Sequence, residues 1–373
     1  MESPSIIQAH SPTELRIGAL DGLRGLAIGL VLLLHLGFIY LDFASRSWWL
    51  PYALKLEAGW CGVDLFFVLS GFLIGGILLD QRNSPRLARV FYARRALRII
   101  PLYYVLLAVI FWRAAHVPQT FGFAVYPLFL SNLAYSVTNH WAWSPLNITW
   151  SLAVEEQFYL LAPWFVQAVS SRKLPWMLLS VWLGGWMLRF ATSLTLREPT
   201  LILYTFTPFR LDGLTLGWLA AWLVRTPEGH PVRAWFSRSW RWVLALSFAL
   251  VLGFLAHDPR VVSFTAARYG YAALAVFFTT LTLTVVMVRP SWLVRPLNNR
   301  LLRHLGRHSY FIYLWHELVA YAAHRYVLPD FQASIWQYWA TMCGLVGVVW
   351  LMAVVSWRIF EGPLIRLGHR FTY

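Results

Sequence analysis

Apolar residues run along this chain in long blocks, separated by short polar stretches rich in arginine. Blocks of this length suit helices that cross ~30 Å of hydrocarbon at 1.5 Å per residue. The pattern predicts spans near residues 18–41, 60–80, 99–115, 148–170, 175–195, 200–224, 242–257, 269–288, 308–327 and 335–357. The third and seventh are short. Segment 118–136 is apolar too, but its length makes it re-entrant or interfacial rather than spanning. No internal repeat of the kind that builds inverted-repeat transporters is visible. The expectation is an all-α integral membrane protein of about ten transmembrane helices. Residues 1–17 form an N-terminal tail, 18–357 a single membrane domain and 358–373 a C-terminal tail, with no fused soluble domain.

Composition agrees with this reading. Hydrophobic residues make up 59% of the 373 and charged residues 13%, about half the charged fraction of a soluble domain. The mean hydropathy is +0.56. A net charge of +15 raises the question of nucleic acid, and the placement of the charges answers it. Only Lys55 and Lys173 are lysines, and most arginines sit in short loops between apolar blocks. That is a topology signal, not a nucleic-acid surface. Loops on one side hold 22 basic residues and those on the other 8, so the positive-inside rule puts both termini in the cytoplasm. Cys61 and Cys343 form no metal spacing and imply no disulfide framework. The polar first seventeen residues do not read as a cleaved signal peptide. Trp48, Trp49, Trp141, Trp143, Trp235, Trp240, Trp242 and Trp292 fall at predicted span ends, as an interfacial aromatic belt does.

Ionisable groups inside hydrocarbon mark a cavity or a function. In the first span Arg24 precedes His35 by eleven residues, close to three turns and about 16 Å of rise. Both therefore point from one helix face, Arg24 near the cytoplasmic edge and His35 near mid-membrane. The second span carries Asp64 near its external end, with Ser70, Gly71, Gly75 and Gly76 further in, where small residues let helices pack closely. The fourth opens with Trp150-Ser151-Leu152-Ala153-Val154-Glu155-Glu156. Adjacent helical residues diverge by ~100°, so only one of Glu155 and Glu156 faces a given point in the interior. Arg210 and Asp212 in the sixth span are expected to pair across helices, as a structural ion pair or as part of the site. His316, beside Glu317, either lines a cavity or makes a structural hydrogen bond. Ahead of the third span stand Arg94, Arg95 and Arg98. Arg94 and Arg98, four apart, share a face, and guanidinium forks suit phosphate oxygens. Positive-inside topology alone also explains such a cluster.

These pieces together resemble bacterial acyltransferase family 3. Arg24 and His35, GVDLFFVLSGFL, RRALRIIPLYY, WSLAVEEQFYL, TPFRLDGLTLG, SYFIYLWH (309–316) and the terminal FEGP (360–363) occur in that family's order, from Leu20 to Pro363. The resemblance implies a multi-pass protein of the bacterial inner membrane. Such an enzyme moves an acyl group, by default acetyl, from cytoplasmic acyl-CoA to a hydroxyl of a glycan or glycan-like acceptor, with no permanently bound cofactor and no metal. Arg24 and His35 would be the signature pair, and Arg24, Arg94, Arg95 and Arg98 would bind acyl-CoA, Arg24 at the pantetheine or a phosphate and the other three at the nucleotide phosphates. Glu155 matches the family's acidic position more closely than Glu156. Some relatives carry a fused extracytoplasmic hydrolase-like domain, so this chain would act directly or with a separate extracytoplasmic partner.

The chemistry expected is that His35 acts as general base or as a transient acyl carrier. Glu155, or alternatively Asp64, would orient it as the third member of a triad does. Ser70, Glu156, Arg210, Asp212 and His316 are candidate cavity-lining residues. The competing class is a transporter or flippase of a lipid-linked or small solute that uses the buried charges as a pathway.

Overall fold

A computed structural model describes residues 18–38, 58–113, 122–326 and 335–373. The N-terminal tail, the end of the first predicted span at 39–41, the basic residues Arg46 and Lys55, and Trp48 and Trp49 lie outside the described residues. The described residues are helical with no strand. The principal helices are α1 (Gly18–Phe38), α2 (Cys61–Asp80), α3 (Leu87–Arg113), α4 (Ser131–Thr138), α5 (Thr149–Ala168), α6 (Leu174–Thr195), α7 (Asp212–Arg225), α8 (Pro231–His257), α9 (Tyr271–Leu283), α10 (Arg300–Arg307), α11 (Ser309–Tyr326) and α12 (Ile335–Ser356). Two π-helical turns, Ala266–Gly270 and Thr284–Val288, extend α9 at both ends.

Each of the ten predicted spans coincides with helical structure, with three differences. The helices α3 and α8 begin at Leu87 and Pro231, well before the apolar blocks at 99 and 242, because arginine-bearing turns continue the helix out of the apolar layer. The 200–224 block is not one helix. It breaks into Ile202–Thr205, a 3-10 turn at Thr207–Phe209 and then α7, because Pro208 cannot continue a helix through its own missing N–H. Among the described residues, seven helical runs are long and apolar enough to cross a membrane by length and composition. The three blocks that fall short are α5, the α7 region and α11, and these carry Glu155 and Glu156, Arg210 and Asp212, and His316 and Glu317. Polar residues lower the hydropathy of α5 and α11, whereas the α7 helix, at 14 residues, is too short. Within segment 118–136, of which 118–121 lie outside the described residues, stand the 3-10 turn Phe123–Val125 and the eight-residue α4, too short to span.

The centre of the bundle is the α2–α7 contact. A Cβ on Gly71 would collide with the Leu214 carbonyl, and one on Gly217 with the Val68 carbonyl. The small residues of α2 therefore bring two backbones together, as sequence suggested. Buried Phe67, Val68, Trp218 and Leu214 fill the rest of this seam.

Candidate active site

Two cavities enter the bundle from opposite ends. The first, about 560 Å³, is lined by Leu34 and His35 at the end of α1, Trp60 and Val63 at the start of α2, and Asn147, Ile148 and Trp150 around the start of α5. Trp141, Ser144, Tyr204, Arg260, Val261, Val262, Tyr313 and Glu317 complete its wall. The second, about 240 Å³, is lined from the other ends of the same helices: Arg24 on α1, Ile77 on α2, and Glu155 and Tyr159 on α5, with Ser70, Arg95, Arg98, Ser151, Tyr310 and Tyr313. Val63 and Tyr313 are common to both walls. Tyr313 Oη lies 2.5 Å from Ser151 Oγ and 3.3 Å from the Ile148 carbonyl, and its ring stands edge-on to Phe66 at 6.1 Å.

His35 projects into the first cavity and is bracketed by α11. Its Nε2 is 3.2 Å from Glu317 Oε1, and its Nδ1 is 3.1 Å from His316 Nε2. Adjacent residues of α11 diverge by ~100°, yet both reach His35 because an imidazole offers nitrogens on two edges. The backbone fixes the proton inventory. His316 Nδ1 lies 2.7 Å from the Tyr313 carbonyl and 3.1 Å from that of Ile312. Carbonyls only accept, so Nδ1 holds the proton and Nε2 of the neutral ring is an acceptor. The His35 Nδ1–H then donates both to His316 Nε2 and to the Val31 carbonyl at 3.1 Å. One further proton is left for the contact between His35 Nε2 and Glu317. The pair is an imidazolium with a carboxylate, or an imidazole with a carboxylic acid. Ser144 Oγ donates to the other carboxylate oxygen at 2.7 Å. The result is a proton-sharing pair at a cavity wall, anchored on three sides. His35, His316 and Glu317 also have ligating atoms within 4.8 Å of one another, and mutual and backbone hydrogen bonds account for that grouping as it stands.

The carboxylate beside His35 is therefore Glu317, not Glu155 or Asp64. Glu155 lines the second cavity beside Ser70 and Tyr159, and Arg24 and Arg95 supply compensating charge. Ser70 does line a cavity, bonded to Tyr159. Asp64 accepts a 2.7 Å bond from Arg210, both fully buried. Arg210 packs against an aromatic cage, 4.2 Å from the Tyr271 centroid and 5.1 Å from that of Tyr204. Asp212 pairs at 2.5 Å with Arg189, which also lies over Tyr271. Asp64, Arg210, Asp212 and Arg189 thus tie α2, α6 and α7 together behind the cavity, and neither Arg210 nor Asp212 lines one. Glu156 lines neither cavity and has a buried, unpartnered Oε1.

The arginine cluster also differs from expectation. Arg95 and Arg98, three residues apart, join Arg24 in the second cavity, and Arg95 rests 4.8 Å over the Tyr159 ring. Arg94 turns away. It donates to the Phe371 carbonyl at 2.9 and 2.7 Å and lies over the Tyr373 ring. Glu317, Ser144, Asn147 and Tyr313 are the site residues that sequence reasoning missed. The one available signal was a histidine–glutamate pair in mid-span, and nothing local says that its partner is 281 residues away.

A family profile described as an acyltransferase domain matches residues 17–354. The peptidoglycan O-acetyltransferase OatA of Listeria monocytogenes is 29% identical over 94% of this chain and 56% of its own length. The O-acetyltransferase OatA of Staphylococcus aureus is 26% identical over 94% of this chain and 57% of its own. The chain thus spans little more than half the length of these relatives. No solved structure matches it. With a profile match from end to end of a multi-helix bundle whose apolar helices suit a membrane, the chain belongs to acyltransferase family 3.

Proposed function

We propose that this protein is an O-acyltransferase of the bacterial inner membrane that moves an acyl group, by default acetyl, from cytoplasmic acyl-CoA to a hydroxyl of a glycan-like acceptor. The observation that carries the reading is the disposition of the two cavities. One holds three arginines, the other a proton-sharing His35–Glu317 pair, and only a thin wall parts them. Guanidinium forks suit the phosphates of a nucleotide-bearing thioester, and the excess of arginine on that side suits the cytoplasm. Both termini then face the cytoplasm, and the ten blocks count as ten spans in the bundle. Family membership gives the transporter alternative no support.

In the reaction, the donor's phosphates rest on Arg24, Arg95 and Arg98, and the acceptor hydroxyl enters the first cavity beside His35. Once the pair has lost its shared proton, His35 Nε2 takes the hydroxyl proton as the oxygen attacks the thioester carbonyl, which restores the imidazolium facing Glu317. The C–S bond breaks, an ester C–O bond forms, and the departing thiolate takes the proton back from the imidazolium. Glu317 supports the imidazolium charge, and His316, through Nε2, holds the ring orientation. A transient acyl group on His35 is the two-step version of the same chemistry.

The test is thiol release from acetyl-CoA by protein in liposomes, wild type beside His35→Ala, with bacterial envelope glycan as acceptor. Release that requires both glycan and His35 is the expected result. Glycan-dependent release by folded His35→Ala protein removes the assignment.

A further inference from the structure

Among the described residues, the two cavities share only Val63 and Tyr313 in their linings. Transfer as proposed above requires the acyl group on the arginine side to meet the acceptor on the His35 side, so something in that wall must move. Val63 is buried and packed on α2. Tyr313 differs from its surroundings: its neighbours Phe311, Ile312, Leu314, Trp315, His316 and Glu317 are buried, while Tyr313 is only partly so. Its ring therefore borders open space. Its fixed point is the hydroxyl, held by Ser151 Oγ at 2.5 Å and by the Ile148 carbonyl at the longer 3.3 Å. A tyrosine swings about χ1 and χ2 without backbone change. Breaking two hydrogen bonds that net about 0.5–1.5 kcal/mol each is within reach of donor binding energy.

We propose that Tyr313 is a gate between the two cavities, latched shut by Ser151 and swung aside when the acyl thioester presses from the arginine side. The gate gives the enzyme two things that its reaction needs. Closed, it keeps water in the His35 cavity from hydrolysing a waiting thioester. Open, it admits the acyl group into line with the acceptor hydroxyl. Tyr313 acts as a positioning residue, and Ser151 sets how tightly it is held. The inference rests on the reading of the reaction above, but its central test does not need catalysis.

That test is accessibility from each face. Val262 lines the His35 cavity and takes no part in the proposed chemistry. In a chain with Cys61→Ala and Cys343→Ser, which removes both native thiols, Val262→Cys serves as reporter for a membrane-impermeant, sulfonate-bearing thiol reagent. Right-side-out and inside-out vesicles expose it from either end. With Tyr313 present, labelling occurs from the His35 end alone. With Tyr313→Ala, labelling from the arginine end rises about tenfold or more. Tyr313→Phe keeps the ring, loses the latch and gives an intermediate rate, so the outcome does not hang on one disruptive variant. In the transfer assay, the share of thioester lost to water instead of acceptor rises about threefold or more in both variants.

Labelling from both ends with Tyr313 intact, or no new route in folded Tyr313→Ala and Tyr313→Phe protein, overturns the gate. A new route in protein that never transfers an acyl group overturns the proposed reaction and leaves the gate standing.

Discussion

Replacing Glu317 by glutamine tests the central geometric claim with almost no change of shape. The carboxylate oxygen 3.2 Å from His35 Nε2 becomes an amide group, and Ser144 keeps an acceptor within reach. What disappears is the negative charge that faces the imidazolium formed during transfer. A hydrogen bond to a charged group contributes about 1.5–3 kcal/mol. That amount, lost mainly in the transition state, lowers kcat by about ten- to a hundredfold. The KM for acyl-CoA should stay within a factor of about two, because Glu317 is across the wall from the arginines. Glu155→Gln should do the reverse, disturbing the balance around Arg24 and Arg95 and raising the KM for the donor. Steady-state thiol release at varied acetyl-CoA separates the two. The His35→Ala, Glu317→Gln double variant should be no worse than His35→Ala alone, since the second change acts through the first. A Glu317→Gln enzyme with kcat within threefold of wild type, or losses that simply multiply in the double variant, would refute the pairing.

Further predictions address the rest of the site and its frame. Arg95→Ala and Arg98→Ala should each raise the KM for acyl-CoA by about tenfold or more through loss of a charge-assisted contact, whereas Arg94→Ala, bonded to the Phe371 carbonyl, should leave it nearly unchanged; donor titrations distinguish them. Arg210→Ala strands the buried carboxylate of Asp64 and should destabilise the fold by about 3–5 kcal/mol, seen as a lower melting temperature and poor recovery from membranes. Gly71→Leu should prevent the α2–α7 contact and give misfolded protein, by the same measurements. Asp258 follows α8 outside the spans, and its hydrogen bond from Arg260 at 2.8 Å holds its carboxyl below the usual aspartate range. A lowered folded-state pKa stabilises the fold above the ordinary aspartate value of about 3.9 and loses that contribution as pH falls through the folded-state value. Asp258→Asn should therefore narrow the difference in melting temperature between pH 7 and pH 3.

Much of the architecture was legible because hydrocarbon enforces it. Among the described residues the ten apolar blocks are largely helical, and Arg24 and His35 do share α1 and project into opposite cavities of one bundle. Interhelical pairing was less legible. Asp64 had no local mark that assigned it to Arg210, and Glu317 none that assigned it to His35, since each pair joins helices far apart in sequence. The choice between Arg94 and Arg95 turned on one residue of helical phase. The i, i+4 pair suggested by spacing gave way to the i, i+3 pair because Arg94 is drawn to the chain's last residues. The broken run before α7 was marked by Pro208 all along, and its hydrophobicity masked the interruption.

The wall of Val63 and Tyr313 has a consequence for bioenergetics. In an ordinary membrane protein the transmembrane potential falls across the full ~30 Å of hydrocarbon. Here a cavity bearing charged side chains lies on either side of that wall, so in the proposed topology the potential would drop mainly over the few side chains between them. Each elementary charge moved across that wall carries about 2.3 kcal/mol per 100 mV. In the proposed reaction an acyl group would cross without charge and feel none of it, whereas the anionic carrier that delivers it would stop at the arginines. De-energising the cell would then leave acyl passage untouched and alter only the resting place of the carrier.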